Sequence, residues 1–434
     1  SVASRGLGDV YKRQIVNTSE KTGGAALASN RLMEALNKAG CKAKMLVKDK
    51  ETDQLSVVAL PRQWLKWWHF LWERWCIFCH LHFNRRYLFA IDIANIGTDI
   101  TQLREFQEAD IIHLEWINQG MLSLRNIQKI LESGKPVVWT LHDIWPATGI
   151  CHLSLSCTHF KKECGNCFYL PGGGSKTDLS HRIWQRKNAI YQQRKIHFVT
   201  CSEWLGQQAK ASGLLSKQAL SIIPNPIDTH VFAPASKHEA AQRLGLPTDK
   251  QLILFASQRI TNVNKGIQYL IEACQLLVKQ QPELKNSVGL VVLGGHAEEI
   301  TDRFDLPTYP LGYVNDTKKI VDVYNAVDLF VLPSLSENLP NTIMEAMACG
   351  VPCVGFEVGG IPEMIDHREN GYVAHYKDAQ SLAAGMAWIL DKGTDYEALS
   401  KNCIHKVRTE YAQQRVAEQY LAVYQSVWRN KNEE

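Results

Sequence analysis

Ser336-Glu337-Asn338-Leu339-Pro340-Asn341-Thr342-Ile343-Met344-Glu345-Ala346-Met347-Ala348-Cys349-Gly350 is the stretch whose reading decides the fold. The run Asp328-Leu329-Phe330-Val331-Leu332, apolar after its first residue, precedes it and reads as a buried parallel strand. Pro340 suits the first turn of a helix and Gly350 suits its end. Glu337 then falls in the strand-to-helix loop, and Glu345 lies inside the helix on a face that can look into the same cleft. Two carboxylates framing a helix N-terminus can bind hydroxyls, while the unsatisfied N–H groups and the helix dipole attract an anion. A sugar joined to a diphosphate presents both groups. Taken alone, the pair has a plainer reading: a solvated loop glutamate and a helix glutamate beside a cation.

The flanks extend the pattern with Gly350-Val351-Pro352-Cys353-Val354 and Gly359-Gly360-Ile361-Pro362-Glu363. Together they resemble the E-x7-E signature of retaining glycosyltransferases of the GT-B type, family 4. The resemblance implies an α/β protein of two doubly wound, Rossmann-like domains facing a cleft. It implies transfer of a sugar from a nucleotide-sugar, with Glu337 on the donor sugar, backbone near Asn338 and Leu339 assisting, and Glu345 on the ribose hydroxyls.

Length and composition agree with this class. A chain of 434 residues with 45% hydrophobic content is long enough for two or three domains with sizeable cores. A net charge of +4 without a long basic run argues against nucleic acid as a partner. No apolar stretch reaches spanning length and no secretory signal opens the chain, so a cytoplasmic protein is expected, peripheral on the inner face of a membrane if anything anchors it. Most of the 12 cysteines are expected to be reduced, with Cys41, Cys201, Cys274, Cys349 and Cys353 in the core.

The chain opens with a Gly- and Arg-rich segment that carries no strand pattern. Residues 1–14 read as a non-native or disordered piece, with Ile15-Val16-Asn17 the end of a truncated first strand. Gly23 and Gly24 then open a helix, where the absence of side chains lets backbone approach a phosphate or a sugar. By resemblance this loop faces the donor diphosphate and the acceptor. Over 63–89, Trp64, Trp67, Trp68, Trp72 and Trp75 recur at helical spacing among Lys66, Arg74, Arg85 and Arg86. This is the pattern of a helix lying in a membrane interface; a helix packed inward through its tryptophans is the alternative.

Glu115, Trp116 and Asn118 follow the strand Asp110-Ile111-Ile112-His113-Leu114, at the end where open α/β sheets place ligands, and are candidate acceptor contacts. His142 and Asp143 end the strand Pro136–Leu141, and His142 resembles the family's active-site histidine, implied to hold the donor sugar. Cys151, Cys157, Cys164 and Cys167 crowd the loop that follows. They suit a structural zinc site, with free or redox-active thiols as the alternative. This loop and its lead-in Trp145-Pro146-Ala147-Thr148-Gly149 resemble a subgroup of family 4 in bacterial exopolysaccharide and colanic-acid-type clusters, in which the loop would cap the acceptor cleft.

In the second half a strand at Leu252–Ser257 leads to Arg259 and to Asn264-Lys265-Gly266. These two cations stand where a diphosphate leaving group needs its charge neutralised. No Asp-x-Asp motif is suitably placed, so no cofactor is expected for catalysis. Strands are expected at Gly289–Leu293 and Leu311–Val314, with Val314 near the nucleotide base by resemblance. One long helical pattern from Tyr396 onward closes the fold.

The expected organisation is an acceptor domain over 15–225, a donor domain over 226–410 and a returning helix over 411–434. The implied partners are a UDP-, GDP- or ADP-linked sugar and a glycan or lipid-linked acceptor. A sugar-nucleotide epimerase, a phosphorylase and a non-catalytic membrane-surface scaffold are the alternatives. An NAD-dependent oxidoreductase is disfavoured because the dinucleotide fingerprint is missing.

Overall fold

The computed structural model describes residues 12–432. The chain forms two compact units, one running to Pro226 and resuming at Gln414, the other spanning Ile227–Gln413. Each is built on a single parallel sheet. The first contains β1 (Lys12–Ser19), β2 (Lys42–Asp49), β3 (Val57–Ala59), β4 (Ile111–Leu114), β5 (Val137–Leu141), β6 (His197–Thr200) and β7 (Ala219–Ile222). The second contains β8 (Gln251–Arg259), β9 (Val288–Gly295), β10 (Thr308–Gly312), β11 (Leu329–Leu332), β12 (Cys353–Phe356) and β13 (Gly371–Ala374).

The strand orders are β3-β2-β1-β4-β5-β6-β7 and β10-β9-β8-β11-β12-β13. In each sheet the chain starts in the middle, winds outward to one side, then returns to wind outward on the other. Helices therefore cover both faces, and the strands must be apolar on both sides. Val137, Val138, Trp139, Thr140 and Leu141 are accordingly all buried, as are Leu329 to Leu332. Where the winding direction reverses, between β1 and β4 and between β8 and β11, the loops leave in opposite directions and open a crevice.

Four expectations need correction. Lys12, Arg13 and Gln14 are not outside the fold: they belong to β1, paired with β2 and β4 at the centre of the first sheet. Backbone pairing there does not depend on side chains, so polar residues were carried into a buried strand. Residues 1–11 lie outside the described residues. The strand expected at Leu311–Val314 lies earlier, at Thr308–Gly312. Pro310 hides it from a sequence reading, but β10 is an edge strand, where proline is tolerated.

The long closing helix is interrupted. Tyr396–Lys406 and Gln413–Asn432 are separate helices, joined by a π turn over Val407–Tyr411. Tyr411 stays with the second unit, its carbonyl accepting from the Ile227 N–H at 2.9 Å. Finally, the helix Gln63–His80 does not pack through its tryptophans. Glu73, Arg74 and Ile77 face inward, whereas Trp64, Trp67, Trp68, Trp72 and Trp75 remain 43–70% exposed. The Arg74 guanidinium anchors the helix on Asp92 at 2.9 Å.

The five cysteines expected in the core, Cys41, Cys201, Cys274, Cys349 and Cys353, are all buried. Gln14 is 2% exposed, and among the described residues neither of its amide atoms makes a hydrogen bond. Gln14→Leu removes both unsatisfied groups at similar volume and is expected to raise stability by about 1–3 kcal/mol. The gain would appear as a higher urea midpoint with an unchanged slope.

Candidate active site

In the second unit the site is assembled from the loops that leave the carboxyl ends of β8, β11 and β12. A bulge after Ala256 turns the end of β8, and Arg259 stands at its tip with Nε donating to Thr261 Oγ1 at 3.2 Å. The short helical turn Val263–Lys265 follows, ended by Gly266 in the left-handed region at φ +69°. A side chain at Gly266 would place its Cβ 1.8 Å from the Pro333 carbonyl oxygen, so only glycine lets this loop lie against the one after β11. The Leu335 N–H then donates to the Asn264 carbonyl at 2.8 Å.

This close approach brings Lys265 Nζ to Glu337 Oε1 at 2.5 Å. Glu337 is held from the other side by the loop after β12. Gly359, at φ +60°, passes so close that a Cβ would meet the Glu337 carbonyl oxygen at 1.7 Å, and the Gly360 N–H donates to the Asn338 carbonyl at 2.9 Å. Lys265 and Glu337 are each partly open to solvent, at 30% and 13%. A charged pair poised at a crevice mouth can exchange its partner for a ligand's anion and hydroxyl.

Glu345 lies in the helix Asn341–Ala348, as the spacing predicts, but it is only 5% exposed. Its Oε2 accepts from the Tyr324 hydroxyl at 2.9 Å. Tyr324 was not singled out in the sequence, because no local pattern links it to Glu345. Val314 lies just beyond β10, two strands from β8, and is not joined to the Lys265–Glu337 pair by any hydrogen bond among the described residues.

In the first unit the corresponding reversal lies between β1 and β4. Gly23 caps the helix Gly24–Lys38 at φ +96°, directly beyond β1. The Asn17 side chain accepts from the Trp116 N–H at 2.9 Å, and Thr18 Oγ1 donates to the Trp116 and Asn118 carbonyls, both at 2.9 Å. The two strand ends are thereby stitched together.

The expected acceptor contacts fare differently. Trp116 keeps partial exposure, and its Nε1 donates to Asp143 Oδ2 at 2.8 Å. Asn118 is 3% exposed, and the Glu115 side chain is fully buried. The Glu115 side chain turns into the protein. One of its oxygens lies 2.6 Å from His142 Nε2 and the other 3.2 Å from His113 Nε2.

His142 Nδ1 faces the Cys201 sulfur at 3.8 Å. Burial alone would push the His142 imidazole down, but Cys201 and the Glu115 carboxylate outweigh it and lift it to about 10. Burial pushes His113 down, and that ring instead bonds Tyr424 and Thr140, each at 2.7 Å. Asp143 is pushed up by burial, but His152, at 2.8 Å, and two donors hold it below the usual carboxylate range. Both nitrogens of His142 are thus engaged within the first unit. Cys201, 59 residues away, was read only as core, since no sequence signal marks such a contact.

A raised imidazole pKa stabilises the fold most below the free value of about 6.5, and the contribution fades as pH rises through about 10. Glu115→Gln removes the carboxylate. The thermal midpoint of the parent should exceed that of the variant most at pH 6, with the gap closing towards pH 10; a gap independent of pH would rule out the charged pair.

Comparisons with known proteins match this architecture. The profile described as "Glycosyltransferase Family 4" matches residues 22–231, and "Glycosyl transferases group 1" matches 250–392. A D-inositol 3-phosphate glycosyltransferase of Thermobispora bispora is 27% identical over 226 residues, 49% of this chain and 52% of that protein. The chain therefore spans about half the length of this relative. An uncharacterized glycosyltransferase of Methanocaldococcus jannaschii is 25% identical over 77% of this chain and 89% of its own. Among solved structures, sucrose-phosphate synthase from Thermosynechococcus elongatus superposes with a TM-score of 0.67 at 17% identity, covering 97% of this chain and 100% of the other. HepE from Anabaena, solved in complex with UDP, gives 0.61 at 17% identity over 96% and 100%. With two doubly wound parallel sheets, a Lys–Glu pair at the reversal of the second and family profiles over both halves, the chain belongs to the family 4 glycosyltransferases of GT-B fold.

Proposed function

We propose that this enzyme is a retaining glycosyltransferase that moves a sugar from a nucleotide diphosphate-sugar to a glycan or lipid-linked acceptor in bacterial surface polysaccharide synthesis. The observation that carries the donor half is the Lys265–Glu337 pair at the β8/β11 reversal, with Arg259 at the tip of the same strand. The incoming diphosphate would draw Lys265 from Glu337 and gather Arg259. Glu337 is then left to accept from hydroxyls of the donor sugar, assisted by backbone at Asn338 and Leu339, while Glu345, braced by Tyr324, holds the ribose hydroxyls. Val314 is assigned to the side of the nucleotide base, and Gly23 and Gly24 to the backbone that approaches the diphosphate.

The reaction breaks the bond between the anomeric carbon and the phosphate oxygen, whose electron pair stays with the diphosphate. Arg259 and Lys265 stabilise that charge as it develops, the part a divalent ion plays elsewhere, so no cofactor is needed for this step. The acceptor hydroxyl attacks the same face of an oxocarbenium-like centre and passes its proton to the leaving phosphate. No protein nucleophile enters. His142, held by Glu115, is assigned a catalytic part in this reading, and Trp116 a part in acceptor binding. That HepE was solved with UDP supports including uridine donors first among those tried.

The test is nucleotide release from a panel of UDP-, GDP- and ADP-sugars by the purified enzyme, with and without acceptor. One donor should turn over, and Lys265→Ala or Glu337→Ala should each lower the rate by about 10²-fold or more. Failure of every donor to bind would overturn the assignment.

A lipid-linked acceptor is supported by the tryptophan face of Gln63–His80, since large exposed aromatics beside Arg62, Arg85 and Arg86 suit an anionic membrane interface. Among the described residues no helix is long and apolar enough to cross a membrane, so contact would be at the surface. The protein should co-sediment with vesicles containing anionic lipid, and Trp67→Ser with Trp68→Ser should reduce the bound fraction several-fold. Equal binding by the double variant would dismiss the surface.

A further inference from the structure

Cys151, Cys157, Cys164 and Cys167 all line one small cavity of about 20 Å³ in the first unit. That volume admits one water-sized occupant. None of the 12 cysteines is in a disulfide, and Cys151, Cys164 and Cys167 are each 8% exposed. A buried cysteine by itself packs as a small apolar residue. The surroundings of these sulfurs are different, because hydrogen-bond donors point at them.

The Gly149 N–H donates to Cys164 Sγ at 3.2 Å. The Tyr169 N–H serves Cys167, and the Thr148 hydroxyl fixes the Cys151 backbone by donating to its carbonyl at 2.8 Å. The Lys187 side chain, fully buried, sits near Cys164 and Cys151, with Nζ donating to the Trp145 and Thr148 carbonyls at 2.7 and 3.0 Å. N–H donors around sulfur favour the thiolate. A cation at the centre of four converging sulfurs deprotonates its thiol ligands outright, and the N–H donors then face thiolates.

We propose that Cys151, Cys157, Cys164 and Cys167 bind one structural zinc ion in this cavity. Four soft sulfur ligands with no carboxylate among them suit a closed tetrahedral zinc site, with Zn–S bonds of about 2.3 Å. Each S–H bond gives its proton to solvent, each sulfur lends an electron pair to the metal, and the ion's hydration waters leave; no oxidation state changes. The resulting dianionic centre is offset by Lys187 and the N–H donors.

Among the described residues no group of three His, Cys, Asp or Glu side chains already stands as a metal cage. Binding therefore draws the sulfurs inward onto the cavity. The scaffold around them is already fixed: Asp178 accepts from the Cys167 N–H at 2.9 Å, and Cys151 bridges to Ile91. Two disulfides would leave the donors around the sulfurs without a role. The ion would also stiffen the chain next to His152, whose ring holds Asp143 at 2.8 Å.

The test is zinc content by elemental mass spectrometry on protein purified under reducing conditions. One zinc per chain is expected in the parent and in Cys79→Ser, and under a tenth of that in Cys164→Ser and Cys167→Ser. Should those variants misfold, the parent decides alone. Titration with a mercurial should release its zinc as four thiols react, and cobalt in its place should show the visible absorption of tetrahedral thiolate coordination. A metal-free parent, disulfides among these four cysteines, or zinc retained in both folded variants would overturn the site.

Discussion

The loop cluster of the second unit depends on two places where no side chain fits. Opposite the carbonyls of Pro333 and Glu337 the chain runs at Gly266 and Gly359, both at positive φ and both closer than any Cβ would allow. Their absence of side chains lets three strand-end loops interlock by backbone hydrogen bonds. Lys265 and Glu337 meet as a consequence. The pairing thus rests on backbone packing, and the charged pair is held from below rather than by its own attraction, which is modest for a partly exposed pair.

The first unit solves a different problem, that of holding a histidine. Glu115 lies in a fully buried position that would be costly for an unpaired carboxylate. It is accommodated by the His142 imidazole at 2.6 Å, while its other oxygen lies 3.2 Å from His113, whose ring is tied to Thr140 and to Tyr424 of the closing helix. A residue that looks from its strand-end position like a ligand contact is therefore turned inward to hold His142. The same helix contributes Val416, Ala417 and Tyr420 to the core on that face of the sheet, so the network and the packing are one structure.

The helix Gln63–His80 shows how a pattern can be legible while its orientation is not. Its tryptophan spacing fits both an inward and an outward face. What decided between them was Arg74 and Glu73: once buried, these charges required Asp92 and the Ala94 N–H as partners, and meeting those partners turned the tryptophans out. No periodicity in the sequence carries that information, because the partners lie about 20 residues away on a loop.

The sequence by itself determined the doubly wound class, the strand-to-helix loop bearing Glu337, the helix bearing Glu345 and the cations Arg259 and Lys265. All of these follow from contiguous signals: apolar runs, a proline at a helix start, glycines at turns. Tertiary structure alone decided that Lys12–Gln14 enter the central strand, that Glu115 turns inward to His142, that Tyr324 meets Glu345 and that four cysteines converge on one cavity. The reason is physical. Local patterns report what a segment can bury, whereas the partner of a buried polar group is set by which distant strand end lies beside it.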